Sequence, residues 1–393
     1  MDNRRPILAW GIGRPGALPR PWRRVVFSAL PDRGDKGNMH DDFIGTMPVP
    51  ERHRFNFTSL ERYLREHVDG FSGKLEVEQF KGGQSNPTFM LKAGERRYVL
   101  RRKPPGKLLP SAHAVDREYR VITALYRSGF PVAKTYCLCE DDAIIGTAFY
   151  VMDYVAGRVL WEPSLPAMSI GQRGAYFDEL NRVIAILHAV DYAAIGLGDY
   201  GKPGNYIERQ INRWIKQYRA SETERIEAME NLIEWLPKNI PPGDETTIVH
   251  GDYRMDNVMF HPTEPKILAV LDWELSTLGH PLADFSYHCM TWRLTPGQFR
   301  GMMGVDFKAL GIPTEQEYVA TYCLRTGRDQ IPNWDFYMAY NMFRLAGILQ
   351  GIMGRVNDGT AASAHALEQG KRARPMAEAG WQQVEKILKN PLR

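Results

Sequence analysis

Long apolar runs are missing from this sequence. The nearest to one, roughly Ala143 to Met152, is broken by Gly146 and Thr147 and falls well short of the ~20 residues that a helix needs to cross a bilayer. Cysteine is scarce: Cys137, Cys139, Cys289 and Cys323 are the four in 393 residues. They are too few for a disulfide framework and lack the paired Cys-x-x-Cys spacing of a zinc site, so they read as reduced thiols of a cytoplasmic protein. A strong charge of one sign is lacking as well. The net charge is +4, but residues 1 to 40 hold eight Arg and Lys against three Asp, which leaves the rest of the chain at about −1. The folded body therefore carries no nucleic-acid footprint. Neither a membrane nor a nucleic acid is an expected partner. No GxSxG elbow and no Cys-His signature is present, which excludes the usual covalent acyl-transfer chemistry. What the chain has is apolar material, 44% of 393 residues, enough for a large core and about two or three domains.

Residues 1 to about 50 are rich in Arg, Pro and Gly and show no sustained periodicity, so they read as a disordered basic tail. Prolines at 6, 15, 19 and 21 spoil the amphipathic helix of a transit peptide. An over-extended start is the other reading of this segment, with Met39 or Met47 as the first residue. From residue 55 to 68 the apolar positions Phe57, Leu60, Tyr63, Leu64 and Val68 predict a helix, with Thr58 or Ser59 as its cap. LEVEQF (75–80), PTFMLKA (87–93) and RYVLRR (97–102) predict strands separated by the turns GGQSN and GERR. A helix over 115–128 and strands over 133–139 and 147–153 complete a small sheet carrying one helix. Beyond Gly157 the pattern is mainly helical: Phe177, Leu180, Val183, Ile184 and Leu187 share one face, and Ile226, Met229, Leu232, Ile233 and Leu236 share another. Short strands return only around VHGDYRMDNVMF (249–260) and ILAVLDWE (267–274).

Those two stretches carry the chemistry. In HGDYRMDN, Asp252 and Asn257 stand with four residues between them in a loop between hydrophobic flanks, after His250. Protein-kinase catalytic loops use this His-x-Asp-x4-Asn spacing: the aspartate accepts the proton of an attacking hydroxyl and the asparagine holds magnesium. Asp272 follows the apolar run ILAVL, where a strand would deliver it beside the first carboxylate. Magnesium takes oxygen ligands from one or two carboxylate or amide groups plus phosphate and water, and Asn257 with Asp272 supplies that pair. His250 is expected to brace the loop, Asp256 to brace it or face solvent, and Asp284 to anchor its geometry. His188 and the aromatics Trp292, Trp334, Tyr337, Tyr340 and Phe343 are expected in the helical core.

HGDYRMDNVMF followed by VLDWELSTLGHPLADFSYH resembles the aminoglycoside phosphotransferase and choline kinase-like superfamily. Within it, the chain is most similar to the kinase-like domain that some proteins fuse to an acyl-CoA dehydrogenase and that also stands alone in bacteria. The resemblance covers about residues 55 to 385. It implies an α+β, protein-kinase-like bilobal fold, with a five-stranded antiparallel N-lobe (51–155) and a mainly helical C-lobe (156–393), and with ATP and Mg2+ between them. FKGGQSNPTFML sits where the phosphate-covering hairpin belongs, so Gly82, Gly83, Gln84 and Ser85 are candidates to offer N–H groups to phosphate. Strand alternation puts Val99 and Arg101 on one face. The superfamily's usual phosphate-binding lysine aligns with Arg101, whose planar fork is not equivalent to an ammonium, and Lys103 competes two residues on. Glu118 is the expected partner of Arg101. YVMDYVAG would be the hinge, where Met152 lines the adenine pocket and Asp153, Tyr154 and Val155 offer backbone groups.

The acceptor is less legible. A polycationic aminoglycoside would call for a carboxylate-lined cleft, but residues 281–356 hold six Asp and Glu against seven Arg and Lys. That balance, with the resemblance, points to a small hydroxylated molecule such as a hydroxyacyl-CoA or hydroxy acid, and to an acyl-CoA dehydrogenase as a partner. The competing readings are a non-catalytic nucleotide-binding module working with such a dehydrogenase, and an aminoglycoside kinase.

Overall fold

The computed structural model of the protein describes residues 45–81, 86–104, 113–360 and 365–389. Its N-terminal lobe is built on one antiparallel sheet of β1 (Thr46–Met47), β2 (Leu75–Phe80), β3 (Thr88–Ala93), β4 (Arg96–Arg102), β5 (Thr135–Cys139) and β6 (Phe149–Asp153), in the order β1-β2-β3-β4-β6-β5. Helix α1 (Phe57–His67) precedes β2, α2 (Val115–Arg127) follows β4, and a single turn, α3 (Asp142–Ile145), joins β5 to β6.

The alternation of side chains along a strand explains how this sheet is used. Phe89, Leu91, Tyr98, Leu100, Phe149 and Val151 point to one face and form a core with Leu60 and Leu64 of α1. Thr88, Val99, Arg101, Tyr150 and Met152 point to the other face and line a cleft. A cationic strand residue is thus delivered to the cleft by the same period of two that buries its neighbours.

Two details differ from the sequence reading. The sheet has six strands rather than five, because Thr46 and Met47, assigned above to the tail, pair with Phe80 and Gln79. Two residues are too short a run for periodicity to register. Residues 1–44 lie outside the described ones. The cap of α1 is Asn56, whose side chain accepts from the Ser59 N–H at 3.0 Å, rather than Thr58 or Ser59. Ser59 is already inside the first turn, where it is the donor that a cap satisfies.

The second lobe is mainly helical: α4 (Ile170–Ala189), α5 (Tyr206–Ala220), α6 (Glu227–Trp235), α7 (Pro281–Cys289), α8 (Phe307–Leu310), α9 (Glu315–Thr326), α10 (Trp334–Asn357), α11 (Ala366–Gly370) and α12 (Ala373–Lys389). Helix α10 runs through its centre, burying Phe336 through Gly347 on all sides, as a helix apolar around its whole circumference must. The expected core aromatics Trp292, Tyr337, Tyr340 and Phe343 are buried, and half-buried Trp334 donates its indole N–H to Glu315 at 2.7 Å. Two small antiparallel ribbons sit on this body: β7 (Thr247–Val249) with β10 (Thr277–Gly279), and β8 (Val258–Phe260) with β9 (Ile267–Val270). Their connections carry the polar residues singled out above. The four cysteines are free and buried, and no helix among the described residues is long and apolar enough to cross a membrane.

Candidate functional site

The loop leaving β7 is held from beneath by one buried carboxylate. Asp284, in the first turn of α7, accepts the backbone N–H of His250 at 2.7 Å and of Gly251 at 2.8 Å, and meets His188 Nε2 at 3.3 Å. Burial works to raise its pKa, but His188, then His250 and its backbone N–H, outweigh burial and hold the carboxyl below the usual aspartate range. The His250 ring contacts the Leu271 carbonyl at 2.7 Å, tying this loop to the end of β9. His250 and Asp284 therefore brace, as expected, and His188 is a ligand of the brace rather than a bystander. Gly251 is in the left-handed region (φ 83°), and a Cβ there would lie 2.8 Å from the Leu275 carbonyl oxygen, so only glycine fits.

Asp252 follows, beside Asn257. Its Oδ2 accepts from Asn257 Nδ2 at 2.8 Å and its Oδ1 from the Tyr287 hydroxyl at 2.5 Å, with Arg254 Nε 3.2 Å from Oδ1. Because Asn257 gives its amide N–H groups to Asp252, its Oδ1 is left as the acceptor available to a cation. The Leu271 N–H donates to the Asn257 carbonyl at 2.8 Å, which sets Asp272 beside that amide. Asp272 is left-handed (φ 60°, ψ 62°), a conformation that costs a non-glycine residue about 1 kcal/mol. Asp256 is half-buried and braced by Arg254 at 3.3 Å and by Arg300.

The opposite wall comes from the N-terminal lobe. Arg101 Nε lies 2.9 Å from Glu118 Oε2, and its second nitrogen lies 2.7 Å from Asp272 Oδ1 and 3.4 Å from Glu274 Oε2. The Glu118 contact is an ion pair rather than a directed hydrogen bond, since Nε has no acceptor in line. Glu118 is held in turn by Asn86 Nδ2 at 2.9 Å and the Tyr150 hydroxyl at 3.1 Å. Burial raises the Glu118 pKa against the pull of Arg101. For Arg101 burial is opposed by Glu118, Tyr150, Asp272 and Glu274, which together keep its pKa above the ordinary arginine value. One planar fork reaches Glu118 on α2 and both Asp272 and Glu274 in the turn after β9, which a point-like ammonium could not do in this geometry. Lys103 does not share the cluster: its ammonium is 4.0 Å from Asp116.

Between the walls lies a cleft of about 370 Å³. Its lining includes the apolar Val99, Ala133, Met152 and Met259 and the polar Arg101, Asn257 and Asp272. Asp153, Tyr154 and Val155 also line it. Two of these three have no backbone N–H to offer: Asp153 donates to the Lys134 carbonyl at 2.8 Å and Tyr154 to the Arg97 carbonyl at 3.4 Å. The Val155 N–H is the first in the segment not tied to a neighbouring strand. Gly82, Gly83, Gln84 and Ser85 lie outside the described residues.

A nucleotide fits this lining, which joins apolar side chains for a base to a cation, an amide oxygen and a carboxylate for phosphates and their metal. Among the described residues no three His, Cys, Asp or Glu side chains form a metal cluster, and a magnesium ion held by one amide, one carboxylate and phosphate oxygens needs none. Sequence reasoning missed Tyr287, Arg254, Glu274 and Arg344, whose side chain donates to the Gly251 carbonyl at 2.8 Å. Tyr287 was findable: it stands three residues after Asp284 and so shares its helix face. Arg344 left one trace, a lone charge within the apolar run NMFRLAG.

Comparison with known proteins agrees with this geometry. The model of the phosphotransferase enzyme family matches residues 76–319. Acyl-CoA dehydrogenase family member 10 of Mus musculus is 47% identical over 347 residues, covering 87% of this chain and 32% of its own length. Acyl-CoA dehydrogenase family member 11 of Homo sapiens is 41% identical over 343 residues, covering 85% of this chain and 44% of its own length. The chain thus spans about a third to under a half of these curated relatives. A Ralstonia eutropha crystal structure named for the aminoglycoside phosphotransferases superposes with a TM-score of 0.80 at 61% identity, over 85% of this chain and 99% of that one. Choline kinase from Cryptosporidium parvum, at 12% identity, 86% and 97% coverage and a TM-score of 0.55, shares the bilobal kinase-like fold. A family match across residues 76–319, joined to a solved relative alike over almost its whole length, makes this chain a member of the phosphotransferase enzyme family.

Proposed function

We propose that this phosphotransferase moves the γ-phosphoryl group of ATP, in the presence of magnesium, to a hydroxyl of a small molecule, with a hydroxy acid or hydroxyacyl-CoA as the acceptor class. The observation that carries the reading is that Arg101, Asn257 and Asp272 line one cleft, with the Asp252 carboxylate held beside it by Asn257 at 2.8 Å. Asp252 accepts the proton as the acceptor oxygen attacks phosphorus; the new O–P bond forms, the bond from phosphorus to the β–γ bridging oxygen breaks, and ADP leaves with that electron pair. Asn257 Oδ1 and Asp272 would hold the magnesium ion, whose chemistry is to neutralise charge on the phosphate oxygens. Arg101, kept in place by Glu118, exchanges Asp272 for phosphate oxygens. Met152 and Val155 would receive the adenine, and the backbone N–H groups of Gly82, Gly83, Gln84 and Ser85 would cover the phosphates.

The surroundings of Asp252 support an acceptor that is not cationic. Asp252 and Asp256 are met by Arg254, and Asp256 also by Arg300, so no surplus of carboxylates waits there for the amines of an aminoglycoside. Relatives named as acyl-CoA dehydrogenases favour an acyl compound that such an enzyme also handles, and favour a dehydrogenase as partner. The test is magnesium-dependent transfer of labelled γ-phosphate to hydroxyacyl-CoAs, free hydroxy acids, choline-like alcohols and aminoglycosides, with Asp252→Ala as control. Labelling of the acyl class, lost in the variant, is the expected result; labelling of the aminoglycosides alone rejects the acceptor assignment, and transfer that survives Asp252→Ala rejects the mechanism.

A further inference from the structure

Asp252 is gripped from the helical core as well as from its own loop. Helix α7 presents two residues one turn apart to the loop: Asp284 takes the N–H groups of His250 and Gly251, and Tyr287 gives its hydroxyl to Asp252 Oδ1 at 2.5 Å. Backbone and side chain of the loop are thus read by one helix face. Burial first, then the charge of Asp252, keeps the Tyr287 hydroxyl well above the usual tyrosine range, so it remains a donor. The ring of Tyr287 has its own support. The buried Arg344 guanidinium, on α10, lies 5.0 Å over it and donates to the Gly251 carbonyl at 2.8 Å. The two helices are locked in register by Asn341, one turn before Arg344, whose amide donates to the Ala283 carbonyl at 2.9 Å and to Ser286 Oγ at 2.7 Å. A buried arginine directed at a neutral carbonyl and a ring face is an expensive arrangement for stability alone, which points to a use.

We propose that Tyr287 and Arg344 are a positioning pair for phosphoryl transfer, in which Arg344 fixes the Tyr287 ring and the Gly251 carbonyl so that the Tyr287 hydroxyl holds the Asp252 carboxylate at the angle the acceptor hydroxyl requires. This rests on the reading of Asp252 as proton acceptor. Orientation of one reacting group is worth up to ~10²-fold in rate, and it acts on turnover rather than on nucleotide binding, since neither residue lines the cleft between the lobes.

The full chain is tested as Tyr287→Phe, which removes only the hydroxyl, Arg344→Lys, which keeps the charge, and Arg344→Met, which removes it, beside Asp252→Asn. Three quantities are read: turnover of magnesium-ATP with the acceptor labelled in the panel or with water, ATP affinity by calorimetry, and the downfield proton resonance of a short tyrosine–carboxylate hydrogen bond. In Tyr287→Phe, kcat is expected to fall about 10–100-fold with ATP affinity and acceptor KM within about twofold. Arg344→Met is expected to match it and Arg344→Lys to recover part of the loss. The resonance should vanish in both Tyr287→Phe and Asp252→Asn. Loss in Asp252→Asn with Tyr287→Phe at wild-type turnover overturns the inference alone, as does a parallel loss of kcat and ATP affinity in Tyr287→Phe. Wild-type turnover in Asp252→Asn, or no ATP binding by the wild type, overturns the reading beneath it.

Discussion

The two walls of the cleft hold their charged groups by opposite means. On the N-terminal side a cation, Arg101, is kept by three carboxylates, with Glu118 buried beside it and Asp272 and Glu274 reaching across from one turn. On the C-terminal side a carboxylate, Asp252, is kept by neutral donors, Asn257 and Tyr287, with one arginine, and its loop hangs on backbone N–H groups bound to Asp284. The first arrangement is adjustable, because ion pairs tolerate displacement and can exchange partners. The second is rigid, because short directed hydrogen bonds do not. On the proposed mechanism Arg101 has to let go of Asp272 when phosphate arrives, whereas Asp252 has to be in place beforehand, and the packing of each wall suits that division.

The largest expected effect is removal of the rigid wall's carboxylate. Asp252→Asn should lower kcat by on the order of 10²–10⁴-fold, the range for a lost general base, with ATP affinity measured by calorimetry nearly unchanged. An equal loss of ATP affinity would mean that the two walls are not separate devices.

Next is Asp284→Ala, which strands the buried N–H groups of His250 and Gly251 and should destabilise the fold by about 3 kcal/mol in urea unfolding. Its pH dependence follows in sign. Because the folded carboxyl sits below the usual aspartate value, its contribution is complete above the unfolded value of about 4 and is lost as pH falls through the lower folded one. The stability gap between wild type and Asp284→Asn should therefore be constant from pH 7 to about 5 and close below about 4. A gap that closes between pH 7 and 6 instead would transfer the effect to a histidine.

On the adjustable wall, Glu118→Gln leaves Arg101 to Asp272 and Glu274 and should weaken ATP binding about tenfold, or ~1.4 kcal/mol, while the thermal midpoint moves little. The smallest change is expected of Arg101→Lys. It loses the fork but keeps the charge, and an ammonium still pairs with phosphate as a point charge, so ATP affinity should stay within about threefold; a loss as large as that of Arg101→Ala would show that the fork, not the charge, binds phosphate.

The legibility of these walls in the amino-acid sequence follows from how far apart their parts lie. The period-two pattern in YVLRR was enough to put Val99 and Arg101 on one face, and both line the cleft. Glu118 was expected only through the family resemblance, as the partner of Arg101; the structure adds that it shares the buried face of α2 with Val115, Val121, Ile122 and Leu125. The hinge was half legible. Its apolar run marked the segment, but the N–H groups of Asp153 and Tyr154 are taken by Lys134 and Arg97, partners that no local pattern announces. Glu274 reaches Arg101 across 173 positions and Arg344 reaches Gly251 across 93; such pairs leave no spacing to count. The two-residue strand Thr46–Met47 was lost in a segment without periodicity.

By itself the sequence determined the elements and the chemical inventory: the helical and strand periods, the spacing of Asp252, Asn257 and Asp272, and a family resemblance carried by those motifs. Periodicity and short-range spacing are properties of the chain, so they can be read along it. Only the tertiary structure decided that Arg101 bridges Glu118 to Asp272, that α7 supports both the backbone and the carboxylate of the Asp252 loop, and that Arg344 lies beneath them. Those contacts are made by side chains brought together when separate apolar faces are buried against one another, and burial, unlike spacing, belongs to no single stretch of the chain.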